Sequence, residues 1–175
     1  MNIRRAHSLD MEGINRLLLQ VCLVHHRGRP DLFKYGGKKY TDEELQAILS
    51  DDSRPVFVAV EDAAEGAGTS SPHSGQKEQV LGYAFCISQQ HLNNNILTDI
   101  KTLYIDDLCV LEDMRGQGIG RQLCEHVKTY ARKNGYYNIT LNVWSLNEAA
   151  LGFYEVCGFL PQKIGMELLL LGESL

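Results

Sequence analysis

Arg115-Gly116-Gln117-Gly118-Ile119-Gly120-Arg121 is the stretch on which the reading of this chain turns. Three glycines at alternate positions let the backbone take positive φ and approach a ligand with no Cβ in the way. A strand-like run, about Thr102 to Leu111, precedes it. A periodic run, Gly118 to Lys133, follows, in which Ile119, Leu123, Val127, Tyr130 and Ala131 share one helical face. A glycine turn from strand to helix gathers N–H groups in one concavity at the positive end of the helix dipole, which suits a phosphate or pyrophosphate. The spacing is G-x-G-x-G, unlike the dinucleotide-binding G-x-G-x-x-G, and without Gly-Lys-Ser/Thr it is not a P-loop. The plain alternative is a tight turn that binds nothing.

Outward from this loop the chain alternates strand and helix patterns. Asn2 to Arg5 predicts a short strand, and Ser8 an N-cap for a helix to about His25 with Met11, Ile14, Leu17, Leu18, Val21 and Cys22 on one face. Thr41 and Glu44 form a capping box that opens a second helix. Val56 to Glu61 and Val80 to Ser88 read as strands, and 62–79, rich in Gly, Ala, Ser and Glu, as a flexible hairpin loop between them. Downstream, Gly135 ends the long helix. Asn138 to Trp144 predicts a strand, Ser145 with Glu148 a further capped helix to about Val156, and Gln162 to Leu171 a last strand. The order implies a single α/β (α+β) domain over 1–175, with a mixed sheet and about four helices.

Composition narrows the function. The formal net charge of −5 and the lack of a basic stripe speak against nucleic acid. No apolar run approaches membrane-spanning length, and Met1 to Arg5 leads into polar His7, Ser8 and Asp10 rather than a signal-peptide core. The five cysteines are scattered and odd in number, as expected for reduced thiols in the cytoplasm. The adjacent His25 and His26 alternate in direction on any regular element, so no metal is expected.

Two motifs at a set separation carry a resemblance. Arg115, Gly118 and Gly120 fill Gln/Arg-x-x-Gly-x-Gly/Ala. Asn147 and Tyr154, with Gly152-Phe153-Tyr154-Glu155-Val156-Cys157-Gly158-Phe159, follow N-x-x-A-x-x-F/L-Y-x-x-x-G-F. The segment from Tyr104 to Phe159 thereby resembles the GNAT family of N-acetyltransferases. That implies a mixed central sheet with a splayed pair of parallel strands, acetyl-CoA as co-substrate, and direct attack by an amine in a ternary complex.

The resemblance also assigns residues. Leu108, Cys109 and Val110 would pair with the pantetheine arm like an added strand. Arg115, Gly116, Gln117, Gly118, Ile119, Gly120 and Arg121 would hold the pyrophosphate, and Asn147 the arm. Tyr154 would protonate the leaving thiolate: a tyrosine near ~10 stays protonated at neutral pH beside a thiol near ~8.5. The general base is Asp106 or Asp107, which strand alternation sends to opposite faces, with Asp106 preferred and Glu61, His25 or His26 as outside alternatives. Cys109 also invites an acetyl-cysteine reading, but no histidine stands beside it in sequence. The acceptor would be a small amine, an amino acid or a peptide, met by His25 to Tyr40, His91 to Asp99 and the segment after Phe159. A homodimer is compatible with the resemblance. The alternative on the same fold is a non-catalytic acyl-CoA-binding or sensor module.

Overall fold

The computed structural model of the chain describes residues 1–61 and 78–170. The expected loop at 62–79 therefore lies outside the described residues, apart from Glu78 and Gln79. The chain divides into two compact units, Met1–Asn142 and Val143–Leu175.

The first unit is a five-stranded sheet in the order β1 (Asn2–Arg5), β2 (Val56–Val60), β3 (Val80–Gln90), β4 (Lys101–Val110) and β5 (Asn138–Leu141). Neighbours from β1 to β4 are antiparallel; β4 and β5 are parallel. A parallel pair needs a crossover, and α3 (Ile119–Lys133) supplies it. Helices α1 (Met11–Gly28) and α2 (Asp42–Leu49) complete the unit.

β2 explains how the layers stack. Val56, Val58 and Val60 share a core with Ile14, Leu17 and Leu18 of α1 and with Leu45 and Ile48 of α2. Phe57, one step out of phase, meets His126 and Tyr130 of α3 edge-on, with ring centres at 4.8 and 5.0 Å. Both faces of β2 are covered, so its apolar residues run without alternation and all are buried. Gly82 of β3 lets α3 lie close: a Cβ there would meet the Cys109 carbonyl oxygen at 2.9 Å and Leu123 Cδ1 at 3.1 Å.

Helix ends follow local chemistry. At α2 the Thr41 N–H donates to Glu44 Oε2 (2.8 Å), and the Glu44 N–H to Thr41 Oγ1 (3.2 Å). α3 ends as expected: Gly135 takes φ +69°, its N–H reaches the Arg132 carbonyl, and the Tyr136 N–H reaches that of Ala131. Ser8 is not a helix cap. It opens a single 3-10 turn, Ser8–Asp10, and the His7 N–H donates to the Asp10 carboxylate at 2.9 Å. Arg4 anchors that carboxylate, with Nη1 and Nη2 donating to its two oxygens at 2.8 and 2.9 Å.

The second unit holds α4 (Glu148–Val156). Asn147, not Ser145, is its cap: Asn147 Oδ1 accepts from the Ala150 N–H at 3.2 Å. No strand forms between 162 and 170. Ile164, Met166 and Leu168 are 86%, 95% and 82% exposed there. Alternating apolar residues make a strand only against a ladder partner, and the described residues offer this segment none. Among the described residues no helix is long and apolar enough to cross a membrane.

Candidate active site

The decisive feature of the first unit is where β4 and β5 part. Their pairing runs from Thr102 with Asn138 to Ile105 with Leu141 and stops, while β4 continues to Val110. β5 is thus shorter than the expected Asn138 to Trp144. The cause lies in β4. Its register against β3 slips between Phe85, opposite Asp107, and Cys86, opposite Ile105, so Asp106 is the extra residue of a β-bulge. A bulge bends its strand and re-aims side chains. From Asp106 to Val110 one edge of β4 stays on β3, and the other has no partner strand among the described residues.

The bulge also overrides the expectation that Asp106 and Asp107 part to opposite faces. Asp106 Oδ2 accepts from Lys39 Nζ at 2.9 Å and from the Tyr40 hydroxyl at 2.5 Å, and its carbonyl oxygen accepts from Lys39 Nζ at 3.2 Å. Asp107 Oδ2 accepts from the hydroxyl of fully buried Tyr83 at 2.9 Å. Burial raises the pKa of Asp107. Lys39, the Tyr83 hydroxyl and His25 pull it down and Asp106 pushes it up, with a net rise above the ordinary carboxylate range. One lysine therefore faces both acids. His25 stacks on Phe33 with ring centres 5.0 Å apart. Burial lowers its pKa against the pull of Asp107.

Cys109 does not have the setting of a nucleophile. Burial, reinforced by Asp107, pushes its thiol up to about 12, so the thiolate is scarce at neutral pH. Its Sγ lies 3.3 Å from Gln20 Nε2 and 3.8 Å from the Leu17 carbonyl oxygen.

Beyond β4 the chain makes a 3-10 turn, Glu112–Met114, and reaches the glycine loop. Gly116 and Gly118 take φ +76° and +79°, and Gly118 is the N-cap of α3. Gln20 of α1 fixes the approach: Nε2 donates to the Val110 carbonyl at 3.0 Å, and Oε1 accepts from the Glu112 N–H at 3.0 Å. No acidic residue stands in the first turn of α3. An anion there meets left-handed glycines and free-ended helix amides with no carboxylate in that turn of the helix, so a pyrophosphate fits. Arg115 Nε lies 3.4 Å from the Val110 carbonyl oxygen, so its side chain folds back over the end of β4.

In the second unit the Tyr154 to Phe159 motif has a plain physical basis. Gly158 takes φ +88°, its N–H reaches the Glu155 carbonyl, and the Phe159 N–H reaches that of Tyr154. This is a Schellman ending of α4. It lays Phe159 against Tyr154 edge-on, with ring centres 5.6 Å apart, while Phe153 meets Tyr154 edge-on at 5.1 Å. Tyr154 thus contacts two rings, and the side-chain oxygen of Asn147 is spent on the helix cap.

The structure thus gathers Asp106, Asp107 and Cys109 in β4, and Gly116 to Arg121 at the start of α3. Asn147 and Tyr154 belong to the other unit. Glu61 is exposed beyond the end of β2, and His26 Nδ1 lies 2.7 Å from the Phe33 carbonyl oxygen. Tyr83 and Gln20 carried no signal of their own in sequence, while Lys39 and Tyr40 stood out only as part of the acceptor segment from His25 to Tyr40. A tyrosine in an apolar strand and a lysine before a helix cap are ordinary until a bulge sets two carboxylates beside them.

Comparison with known proteins agrees with this geometry. Residues 24–159 match the model of the acetyltransferase (GNAT) family. The chain is 43% identical over 118 residues to a peptidyl-lysine N-acetyltransferase, YjaB, of Salmonella typhimurium; the match covers 66% of this chain and 59% of that protein's length. A crystal structure of a mutant BH1408 protein from Bacillus halodurans superimposes with a TM-score of 0.86 at 32% identity, over 98% of this chain and all of that one. The aminoglycoside N-acetyltransferase AAC(6')-Iy in complex with CoA shares the fold, with a TM-score of 0.64 at 17% identity over 95% of this chain and 97% of that one. The family model spans most of the chain, and the chain belongs to the acetyltransferase (GNAT) family.

Proposed function

We propose that this chain transfers an acetyl group from acetyl-CoA to a primary amine. What carries the reading is the edge of β4 from Asp106 to Val110, which has no partner strand among the described residues and leads directly to the positive-φ glycines at the start of α3. An arm rich in amide groups can add to the first as a strand does, and its pyrophosphate can sit at the second. Leu108, Cys109 and Val110 would hold the pantetheine arm. The backbone from Arg115 to Arg121 would hold the pyrophosphate, and Asn147 would contribute through its amide.

The amine arrives protonated and must lose a proton before it attacks. Asp107 suits that step better than Asp106. Its pKa is raised toward the working pH by burial, and Tyr83 keeps its carboxylate oriented. Asp106, already paired with an ammonium, suits the binding of the amine's charge. The substrate we favour is accordingly a cationic amine on a slender chain, such as the lysine side chain of a peptide, which is the substrate class in the name of the YjaB relative. Tyr154 would return a proton to the leaving thiolate.

Calorimetry with acetyl-CoA, with ATP and NAD as controls, tests the reading. A dissociation constant in the micromolar range, about −8 kcal/mol, is expected for acetyl-CoA and for neither control. The Tyr154→Phe protein should bind as tightly but release CoA more slowly with a lysine peptide. Binding without turnover on any amine would favour the sensor alternative, and no binding at all would end the acetyltransferase reading.

A further inference from the structure

The loop between α1 and α2 carries Arg29, Lys34, Lys38 and Lys39. Two of these cations are spent locally: Arg29 pairs with Asp31 at 2.7 Å and Lys38 with Asp42 at 2.6 Å. Lys39 reaches instead to a distant part of the chain. Its ammonium is held by the Asp106 carboxylate and carbonyl, lies 5.5 Å from the centre of the Tyr40 ring, and acts on Asp107 through its charge. Two acids, a carbonyl and an aromatic face form the surroundings that a protonated amine substrate requires. The chain's own primary amine already sits there.

The main chain on either side is anchored. Thr41 caps α2, and Tyr40 stacks on Phe85 with ring centres 5.6 Å apart. The Lys39 side chain is free to swing by comparison: it is 35% exposed, on a flexible four-carbon stem. The backbone amides of Leu108 and Cys109, where the resemblance implies the acetyl carbonyl, lie two to three residues further along β4. At ~3.3 Å per residue that is about 7–10 Å from Asp106, a distance the Lys39 ammonium must cross to react.

We propose that Lys39 is a self-acetylation site, the resident occupant of the amine subsite at the Asp106 bulge. This rests on the acetyltransferase reading above. The Lys39 ammonium gives one proton to a site carboxylate, and its Nζ forms the bond to the acetyl carbon. The thioester C–S bond breaks, and the second amine proton leaves with the sulfur. One acetyl-CoA and one lysine ammonium thus give acetyl-lysine, CoA thiol and a proton. The modified side chain can no longer pair with Asp106, which leaves both carboxylates to an incoming amine.

The test is residue-resolved mass spectrometry of the full chain incubated with acetyl-CoA bearing a deuterated acetyl group, with and without excess desulfo-CoA. Lys39 should take label at least about tenfold faster than exposed Lys133 or Lys163, because it is held at the reaction site. Its rate should be independent of protein concentration and suppressed by desulfo-CoA. Lys39→Arg, which keeps a cation on Asp106, should lose that label. Labelling of Lys39 at the rate of Lys133, or labelling indifferent to desulfo-CoA, would mean chemical acetylation and overturn the proposal. So would an unlabelled Lys39 in a preparation that releases CoA with a lysine peptide, an outcome that leaves the acetyltransferase reading standing. A preparation that neither binds acetyl-CoA nor releases CoA with any amine removes both.

Discussion

Two carboxylates in the first unit are drawn away from water, and their protons are pulled in opposite directions. Asp10, 4% exposed, sits at the corner between β1 and α1. Burial alone would raise its pKa, but the Arg4 fork and the His7 N–H more than offset that, and the net shift is downward. Asp107, at the β4 bulge, has one hydroxyl donor and a lysine shared with its neighbour. There burial prevails and the net shift is upward. The difference lies in how completely each charge is answered. A fully partnered carboxylate holds the fold together; an under-partnered one is left ready to take a proton.

The sharpest break in that comparison is Asp107→Asn. Removal of a general base lowers kcat/KM by about 10²–10⁴-fold, while the fold should not suffer. A group whose folded pKa lies above its unfolded value of ~3.9 costs stability once ionised, and that cost fades only as pH falls through the folded value toward the unfolded one. Thermal unfolding at neutral pH should therefore show the Asn variant at least as stable as the parent. A variant that unfolds early and keeps its kcat/KM would reverse the two roles assigned here.

Asp10→Asn is the mirror experiment. It leaves Arg4 short of one charged partner, with Glu78 still at 2.6 Å, and should cost about 2 kcal/mol of stability. The pH sign is opposite to that of Asp107. With its folded pKa depressed, Asp10 contributes stability above the unfolded value of ~3.9, and loses it as pH falls through the lower folded value. Acid unfolding of the parent and the variant should converge at low pH. Equal stability at pH 7 would show that the Arg4 fork contributes nothing net.

The same contrast marks what could be read from the chain itself. The five strands of the sheet, the helices, the glycine loop and the Tyr154 to Phe159 motif were legible because each is a local pattern: period, cap, positive φ at a glycine. The strand expected from Gln162 to Leu171 did not form among the described residues, because a pattern alone supplies no ladder partner. The Thr41–Glu44 box and Gly135 did what their chemistry dictates. Ser145 failed as a cap because a better acceptor stood nearby, the Asn147 amide, and Ser8 failed because the chain takes a 3-10 turn there before α1 begins. The partition of the two acids was not legible. Strand alternation sends Asp106 and Asp107 apart, and only pairing against β3 reveals the slip at Phe85 and Cys86 that makes Asp106 a bulge. Lys39 and Tyr83 reach the site from sequence separations of 67 and 24. No local pattern reports a contact at such distances.

Tyr83→Phe gives the smallest effect and the most direct reading of Asp107. Packing should survive, because the ring keeps its edge-on contact with Phe85 at 4.9 Å and loses only an oxygen. What disappears is the hydrogen bond that favours the ionised carboxylate of Asp107. Without it the folded pKa rises further. The groups still facing Asp107 are Lys39, Asp106 and His25, all unchanged. If Asp107 must be ionised to accept the proton, the acidic limb of kcat/KM should move to higher pH, while the plateau above it changes by less than about tenfold. A plateau that falls with the limb fixed would make Tyr83 a packing residue, and would send the search for the base back to Asp106.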